Sequence, residues 1–260
     1  MGTAQQSQRI IITGASSGIG AALARRYAAA GATLGLIARR RSELERLAAA
    51  LAGPHEIYPL DVRDGAAVTA AARAFIARHG CPDIVVASAG VSVGAEAGHA
   101  EDVAVFQEVL DINVMGTVRT FQPFIDCMRS RRSGALVGIA SVAGYRGLPG
   151  AGAYSASKAA VISALESLRV ELRGSGVKVM TICPGYIATP MTEKNPYPMP
   201  FLMSADKAAG KIARLIARRR EFAVIPWQMA VVARVMRILP NWLYDSLAAG
   251  RARKPRRGEN

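Results

Sequence analysis

The chain has 260 residues, 51% of them hydrophobic, which fits one large α/β domain better than two small ones. Its net charge of +14 is uneven, because residues 206–260 carry 13 Lys or Arg against 4 Asp or Glu, a balance of +9. The polar residues 1–8 lack the apolar core of a secretory signal, and the apolar stretch 222–233 is too short at 12 residues to span a bilayer.

Strand and helix patterns alternate along the chain. Apolar runs predict strands at residues 9–13, 33–38, 55–60, 83–88, 135–141, 177–183 and 222–225. Helical patterns occupy residues 19–30, 66–78, 101–129 with a break near Asp111, 153–173 and 205–219, and a further helix starts at Ser42. Gly31 is suited to end the first helix, and Ser42 with Glu45 predicts a capping box for the second.

The strands are apolar throughout rather than alternating, which indicates a sheet covered on both faces. Helices between successive strands indicate parallel strands joined by right-handed crossovers. The sequence therefore predicts an α/β fold with a doubly wound, Rossmann-like sheet of seven parallel strands. It forms a single catalytic domain over residues 1–260. Ligands of such sheets bind at the carboxyl ends of the strands, so the chemistry is expected just after each strand.

A glycine-rich turn, TGASSGIG, connects the first strand to the first helix over residues 13–20. Glycine lets the backbone approach a pyrophosphate, and the free N–H groups at the helix start face the anion. The spacing of Gly14, Gly18 and Gly20 differs from the general GxGxxG fingerprint, and glycine-rich turns also occur as purely structural loops. Between a strand and a helix, we interpret this turn as dinucleotide-binding.

The end of the second strand bears on which dinucleotide is bound. NAD sites usually place a carboxylate there for the ribose 2′-hydroxyl, but this chain has Arg39, Arg40 and Arg41, and its next carboxylate is Glu43. A guanidinium binds a 2′-phosphate in bidentate fashion, whereas a carboxylate repels it. We therefore expect NADP(H), bound by Arg39 with assistance from Arg40. The alternative is a solvated basic loop.

The chemistry is expected after the fifth strand. Ser141 ends that strand, and Tyr154 and Lys158 follow at i and i+4 on one face of the next helix. Reduction of a carbonyl needs a proton for the developing alkoxide, and a lysine ammonium favours the phenolate of a tyrosine whose pKa is ordinarily about 10. The set predicts hydride transfer between NADP(H) and a carbonyl or alcohol carbon, with Tyr154 as general acid/base. A non-catalytic NADP-binding sensor would be expected to lack Tyr154 or Lys158.

These motifs together resemble the single-domain short-chain dehydrogenase/reductase family. The matching marks are TGASSGIG at residues 13–20, Asp61 and Val62 after the third strand, Asn113 in NVMG, Ser141, YSASK at residues 154–158, and Pro184 and Gly185 after the sixth strand. The resemblance covers residues 9–192 and implies a seven-stranded parallel sheet. One departure is Ser88-Ala89-Gly90, where the family commonly has Asn-Ala-Gly, and it puts a structural bond between strands in doubt.

The resemblance also implies roles for individual residues. Asn113, Ser141, Tyr154 and Lys158 would be the catalytic set, with Asn113 shaping a helix that holds a water linked to Lys158. The expected cofactor-binding residues are Gly14, Ser16, Ser17, Gly18, Ile19, Gly20, Arg39, Arg40, Asp61, Val62, Ala89, Gly90, Tyr154, Lys158, Pro184, Gly185, Ile187 and Thr189. Among them, Asp61 would contact the adenine, Lys158 the nicotinamide ribose, and Ile187 and Thr189 the carboxamide. A homodimer or homotetramer is implied as well.

Residues 190–204 are expected to form a lid over the substrate. The segment 191–203 is rich in proline and methionine, and we expect Met199 and Phe201 to face an apolar substrate. The alternative is a lid that packs only on the protein. The four residues after Ser141 are expected to line the same pocket; they are Val142, Ala143, Gly144 and Tyr145. No charged residue is evidently placed for the substrate, which favours a lipophilic ketone, aldehyde or alcohol.

Residues 226–260 are expected to form a helical extension and a basic tail. Arg234 and Arg237 share one helix face, and the tail 251–257 adds five positive charges, a pattern that resembles a membrane-surface element. The alternative is a helix that closes the pocket or joins a subunit interface. Nucleic acid is not expected as a partner, because the chain has no recognition-helix motif and no zinc-binding spacing.

The spacing of the cysteines is informative about the cellular compartment of the protein. Cys81, Cys127 and Cys183 are far apart in sequence and form no CxxC pair, so neither a disulfide framework nor a metal site is expected. We therefore expect a cytoplasmic protein, with contact to the inner face of a membrane as the alternative.

Overall fold

The computed structural model describes residues 7–193, 195–250 and 252–258. Its strands are β1 (Arg9–Thr13), β2 (Thr33–Ala38), β3 (His55–Pro59), β4 (Ile84–Ala87), β5 (Gly134–Ile139), β6 (Val177–Pro184), β7 (Ile187–Ala188), β8 (Met203–Ser204) and β9 (Phe222–Ile225). Its helices are α1 (Gly18–Ala29), α2 (Arg41–Ala49), α3 (Gly65–His79), α4 (Asp102–Leu110), α5 (Gly116–Arg131), α6 (Gly152–Glu171), α7 (Ala205–Ala217), α8 (Trp227–Ile238) and α9 (Asn241–Ala248). Every predicted strand and helix is present, and the bounds differ by no more than one or two residues.

Seven strands form one parallel sheet in the order β3-β2-β1-β4-β5-β6-β9, which confirms the predicted doubly wound fold. β1 pairs with β2 on one side and with β4 on the other, so the strand order reverses at β1. The short strands β7 and β8 pair separately. A reversal of this kind opens a crevice at the carboxyl ends of the strands, where the predicted functional residues lie.

Apolar layers cover both faces of the sheet. One layer packs α1, α2 and α7 against it and includes Leu36 and Ile212. The opposite layer packs α3, α5 and α6 around side chains such as Phe75 and Phe121. Burial of one such aromatic side chain contributes roughly 1.5–3 kcal/mol. The two layers hold the sheet, and with it the strand ends that carry the site, in a fixed position.

The break predicted near Asp111 is a π-helical turn, Asp111–Met115, between α4 and α5. Such turns are rare and commonly occur at functional sites. The predicted capping box is wrong. The second helix begins at Arg41 with Arg40 as its N-cap and no side-chain cap bond, because Ser42 already lies inside the first turn.

The expectation that the cysteines form no disulfide is also wrong, since Cys81 is bonded to Cys127. The two residues are 46 positions apart in sequence, but Cys81 follows α3 and Cys127 lies on α5, and these helices are neighbours. Their Cα atoms are 5.9 Å apart. The bond removes the cysteine argument for a reducing compartment. Cys183 on β6 is a free, buried thiol.

The C-terminal extension comprises α8 and α9, and residues 252–258 then fold back over the domain, where Arg256 bridges to Gly94. Arg251, the first of the predicted tail charges, lies outside the described residues. Within the described part of the chain, no helix combines the length and apolarity needed to cross a bilayer.

Candidate active site

A cleft of about 550 Å³ opens at the carboxyl ends of the strands. It brings together nearly all of the predicted cofactor-binding residues. Those lining it are Gly14, Ser16, Ser17, Gly18, Ile19, Arg39, Arg40, Asp61, Val62, Ala89, Gly90, Tyr154, Lys158, Pro184, Gly185, Ile187 and Thr189. Gly20, Asn113 and Ser141 do not line it. Gly20 is buried behind the turn, where an added Cβ would lie 2.4 Å from the carbonyl oxygen of Gly14.

The glycine-rich turn is held close to the end of β4. Gly14 has a φ of +69°, and an added Cβ would lie 2.7 Å from the backbone nitrogen of Ala89, so only glycine fits. The hydroxyl of Thr13 accepts hydrogen bonds from the backbone N–H groups of Ser88 and Ala89, at 3.2 and 3.3 Å. Thr13 therefore ties β1 to the turn after β4. The resulting cradle suits a pyrophosphate, as the turn chemistry predicts.

One end of the cleft is rich in guanidinium groups. Arg39 is half exposed and lies 3.8 Å from the carboxylate of Asp61, and Arg40 donates to the hydroxyl of Ser16 at 3.1 Å. Arg63, which the sequence did not point to, pairs with Asp61 at 2.7 Å. Burial alone would raise the pKa of Asp61, but the hydrogen bonds from Arg63 and the charge of Arg39 outweigh it and lower that pKa. Arg39 and Arg63 thus pair with the one carboxylate of Asp61, whereas Arg40 contacts Ser16.

The other end holds the predicted catalytic side chains. The Tyr154 phenol lies beside the Ser141 hydroxyl, which accepts a hydrogen bond from the backbone N–H of Ala143 at 3.1 Å. Lys158 lies with its Nζ 5.7 Å from the centre of the Tyr154 ring, and it donates to the carbonyl of Ile139 at 2.8 Å. The structure therefore brings Ser141, Tyr154 and Lys158 together, from the end of β5 and from α6.

Protonation at this end differs from the expectation. Burial raises the pKa of Tyr154, and the hydrogen bond from Ser141 offsets this only in part. Burial lowers the pKa of Lys158 to about 8 and raises that of the neighbouring Cys183 thiol to about 12. The predicted lowering of the tyrosine pKa is thus absent without cofactor, because desolvation of the phenolate dominates.

Asn113 is fully buried in the π-helical turn and is fixed by three hydrogen bonds. Its Oδ1 accepts from the backbone N–H of Val91 at 2.8 Å, and its Nδ2 donates to the carbonyl of Val91 at 3.0 Å and to the hydroxyl of Ser157 at 2.9 Å. Asn113 therefore joins the loop after β4 to α6 at Ser157, the residue that precedes Lys158.

The expected substrate-facing residues lie elsewhere. Phe201 is half exposed and lines a second, shallower depression beside α7, and Met199 does not line the main cleft. Val142 and Ala143 are buried, and Val142 packs with Met229 of α8. Helix α8 covers the loop after Ser141, which explains why this loop does not reach the cleft. Of the segment 190–204, Pro190, Met191 and Thr192 line the cleft instead.

The fold and this arrangement of side chains define a nucleotide-binding oxidoreductase. The chain belongs to the short chain dehydrogenase family, whose profile matches residues 8–198. It is 40% identical over 241 residues to an uncharacterized oxidoreductase of Myxococcus xanthus, covering 92% of this chain and 95% of that protein.

Solved structures support the same assignment. A short chain dehydrogenase/reductase from Burkholderia phymatum in complex with NAD superposes with a TM-score of 0.80, at 26% identity over 96% of this chain and 97% of that one. An alcohol dehydrogenase from Thermococcus sibiricus, complexed with 5-hydroxy-NADP, has a TM-score of 0.73, at 26% identity over 85% of this chain and 96% of that one. Both types of nicotinamide cofactor therefore occur among proteins similar to this chain.

Proposed function

We propose that this protein is an NADP(H)-dependent carbonyl reductase or alcohol dehydrogenase for a small lipophilic substrate, with Tyr154 as general acid/base. The observation that carries the proposal is that Tyr154 and Lys158 line one end of the cleft together, with the buried Ser141 next to Tyr154. The nicotinamide supplies or accepts the hydride when it is bound.

The side chains of the site polarise the carbonyl, transfer the proton and position the lysine. The Ser141 hydroxyl donates a hydrogen bond to the substrate oxygen and polarises the carbonyl. Because burial raises the pKa of Tyr154, its phenol is protonated at neutral pH and donates a proton to the developing alkoxide. The Lys158 ammonium stabilises the phenolate left behind. Asn113, held by Val91 and Ser157, positions the end of α6 that carries Lys158.

The cofactor preference rests on charge. Arg39 and Arg40 line this end of the cleft with a single carboxylate, Asp61, which also pairs with Arg63, so positive charge is in excess there. A 2′-phosphate is bound more strongly by such a cluster than a 2′-hydroxyl is. The apolar preference rests on Val91, Val93 and Met191, which line the same cleft.

The experiment that tests this function is a screen of NADPH oxidation against lipophilic ketones and aldehydes, with Tyr154→Phe as the diagnostic variant. Loss of the proton donor is expected to lower kcat/KM by about 10²–10⁴-fold, while NADPH still binds. Tyr58→Phe, on β3 and away from Ser141, is the matched control and should retain activity. Turnover by Tyr154→Phe at the rate of the wild type would refute the proposed acid.

We also propose that the protein is a homo-oligomer and that the outer face of α8 and α9 takes part in the interface. Trp227, Ile238 and Trp242 are 68%, 79% and 73% exposed on this face. An anionic membrane is the alternative partner. The second copy is favoured because the cations of the tail, Arg253 and Arg257 among them, are paired with carboxylates of the same chain.

Sedimentation velocity and vesicle binding separate the two partners. An Ile238→Lys variant should dissociate a dimer or tetramer. The neighbouring Leu239 is partly buried, so a substitution there shows the effect of disturbing the fold itself. A monomeric wild type that co-sediments with phosphatidylserine vesicles, less so at high salt, would favour the membrane instead.

A further inference from the structure

The end of the chain returns to the mouth of the cleft. Residues 252–257, which we call the C-terminal strap, lie along the segment 94–108. Three of its arginines are held by ion pairs. These are Arg253 with Glu96 at 2.8 Å, Arg256 with Asp102 at 2.8 Å and with Glu101 at 2.9 Å, and Arg257 with Glu108 at 2.5 Å.

Two glycines allow the strap to come close. An added Cβ at Gly94 would lie 2.1 Å from the carbonyl oxygen of Pro255, and one at Gly150 would lie 2.8 Å from the Cβ of Arg253. Asp102 is only 2% exposed, and its carboxylate accepts hydrogen bonds from Arg256 and from the backbone of Glu96. A buried carboxylate needs such a partner, so the strap is an integral part of the fold.

Lys254 differs from the other cations of the strap. Its Nζ donates to the hydroxyl of Ser92 at 3.1 Å and to the carbonyl of Met191 at 3.4 Å, and both of these residues line the cleft. Lys254 is partly buried, and desolvation lowers its pKa. Among the described residues, no carboxylate lies within ion-pair distance of it. The strap therefore carries to the edge of the cleft an ammonium group that no carboxylate of residues 7–193, 195–250 or 252–258 neutralises.

We propose that Lys254 binds an anionic group inside the cleft, so that the C-terminal strap supplies a ligand-binding residue to this site. Ser92 follows β4 and Met191 follows β7, so the ammonium bridges two loops that line the cleft. The anion is either the pyrophosphate of the dinucleotide or an acidic group on the substrate. The inference rests on the proposed function insofar as it assumes those two ligands.

Binding measurements test this without relying on turnover. The variants are Lys254→Met, Lys254→Arg as the conservative replacement, and Arg257→Gln as a control that removes a strap cation from the outer surface. The first arm measures the Kd of NADPH by fluorescence. The second measures, by calorimetry on protein saturated with NADP⁺, the binding of 6-oxoheptanoate and of its methyl ester.

If Lys254 binds the pyrophosphate, Lys254→Met weakens NADPH binding by about tenfold or more, as expected for a lost hydrogen bond to a charged group. If it binds an acidic substrate group, NADPH binding is unchanged, and only the keto acid loses affinity, by a similar factor. Lys254→Arg restores most of the loss in either case. Unchanged binding of both NADPH and the keto acid in Lys254→Met, or an equal loss in Arg257→Gln, overturns the proposal. The Tyr154→Phe experiment is independent of these results.

Discussion

Lys158 is a buried charge in the cofactor-free protein, and its removal is expected to stabilise the fold. Its side chain is 6% exposed, and burial lowers its pKa from 10.5 to about 8. This difference in pKa corresponds to about 3 kcal/mol of folding free energy, which the folded state loses when the ammonium stays charged. A Lys158→Met variant removes this loss but leaves the carbonyl of Ile139 without its hydrogen bond, at about 1–3 kcal/mol.

The net gain for Lys158→Met at pH 7 therefore lies between about 0 and 2 kcal/mol. It corresponds to a rise in Tm of up to roughly 8 °C for a domain of this size. The effect has a defined pH dependence. Below pH 8 the lysine is protonated in both states, and the folded wild type bears the full loss. Between pH 8 and 10.5 the unfolded chain binds the extra proton, so the wild type gains stability as pH rises, and the advantage of the variant disappears.

Urea unfolding of the cofactor-free protein at pH 7 and at pH 9.5 measures the difference directly. Lys207→Met, at an exposed position on α7, is the matched control and should change little at either pH. The reasoning would be refuted by a Lys158→Met variant that is less stable than the wild type at pH 7. It would also be refuted by an advantage that grows with pH.

Three further predictions concern the cleft, the core and the disulfide. Arg39→Gln should raise the KM for NADPH about tenfold, because one charge-assisted contact is lost, and should leave the KM for NADH unchanged. Equal increases in both KM values would contradict the proposed role. Phe75→Ala should lower the free energy of unfolding by about 3–5 kcal/mol, because Phe75 is fully buried, whereas the half-exposed Phe222→Ala should cost far less in the same urea titration. Reduction with dithiothreitol should destabilise the protein by up to about 4 kcal/mol, since the bond closes a 46-residue separation; Cys127→Ala should show the same loss and no response to the reductant.

The sequence was sufficient to predict the sheet and most of the cleft. β1 and β9 have the predicted bounds, because unbroken apolar runs between polar turns leave few other possibilities. The carboxyl ends of parallel strands converge, so motifs that follow strands converge as well. This convergence is why Gly14, Asp61 and Tyr154 line one cleft although they are far apart in the chain.

What the sequence did not predict depends on contacts between distant segments. The ion pair of Arg256 with Asp102 joins residues 154 positions apart, and no local pattern signals it. The sequence therefore predicts a basic membrane-surface element, or a helix at the pocket or a subunit interface, but none of these ion pairs. Burial determines the direction in which the pKa of Tyr154 is shifted, and the spacing of Tyr154 and Lys158 carries no information about burial. The apolar character of Phe201 predicts a contact with substrate, but Phe201 lines the second depression and not the main cleft.

The state of the three cysteines makes the protein suited to site-specific labelling. Cys81 and Cys127 are joined, and the pKa of the buried Cys183 thiol is raised to about 12, so the native protein offers no reactive thiolate near neutral pH. An Ala252→Cys replacement at the exposed start of the strap would introduce the one thiol open to a maleimide dye. Fluorescence from that dye would report in real time whether the C-terminal strap stays in contact with the segment 94–108 when ligands bind and dissociate.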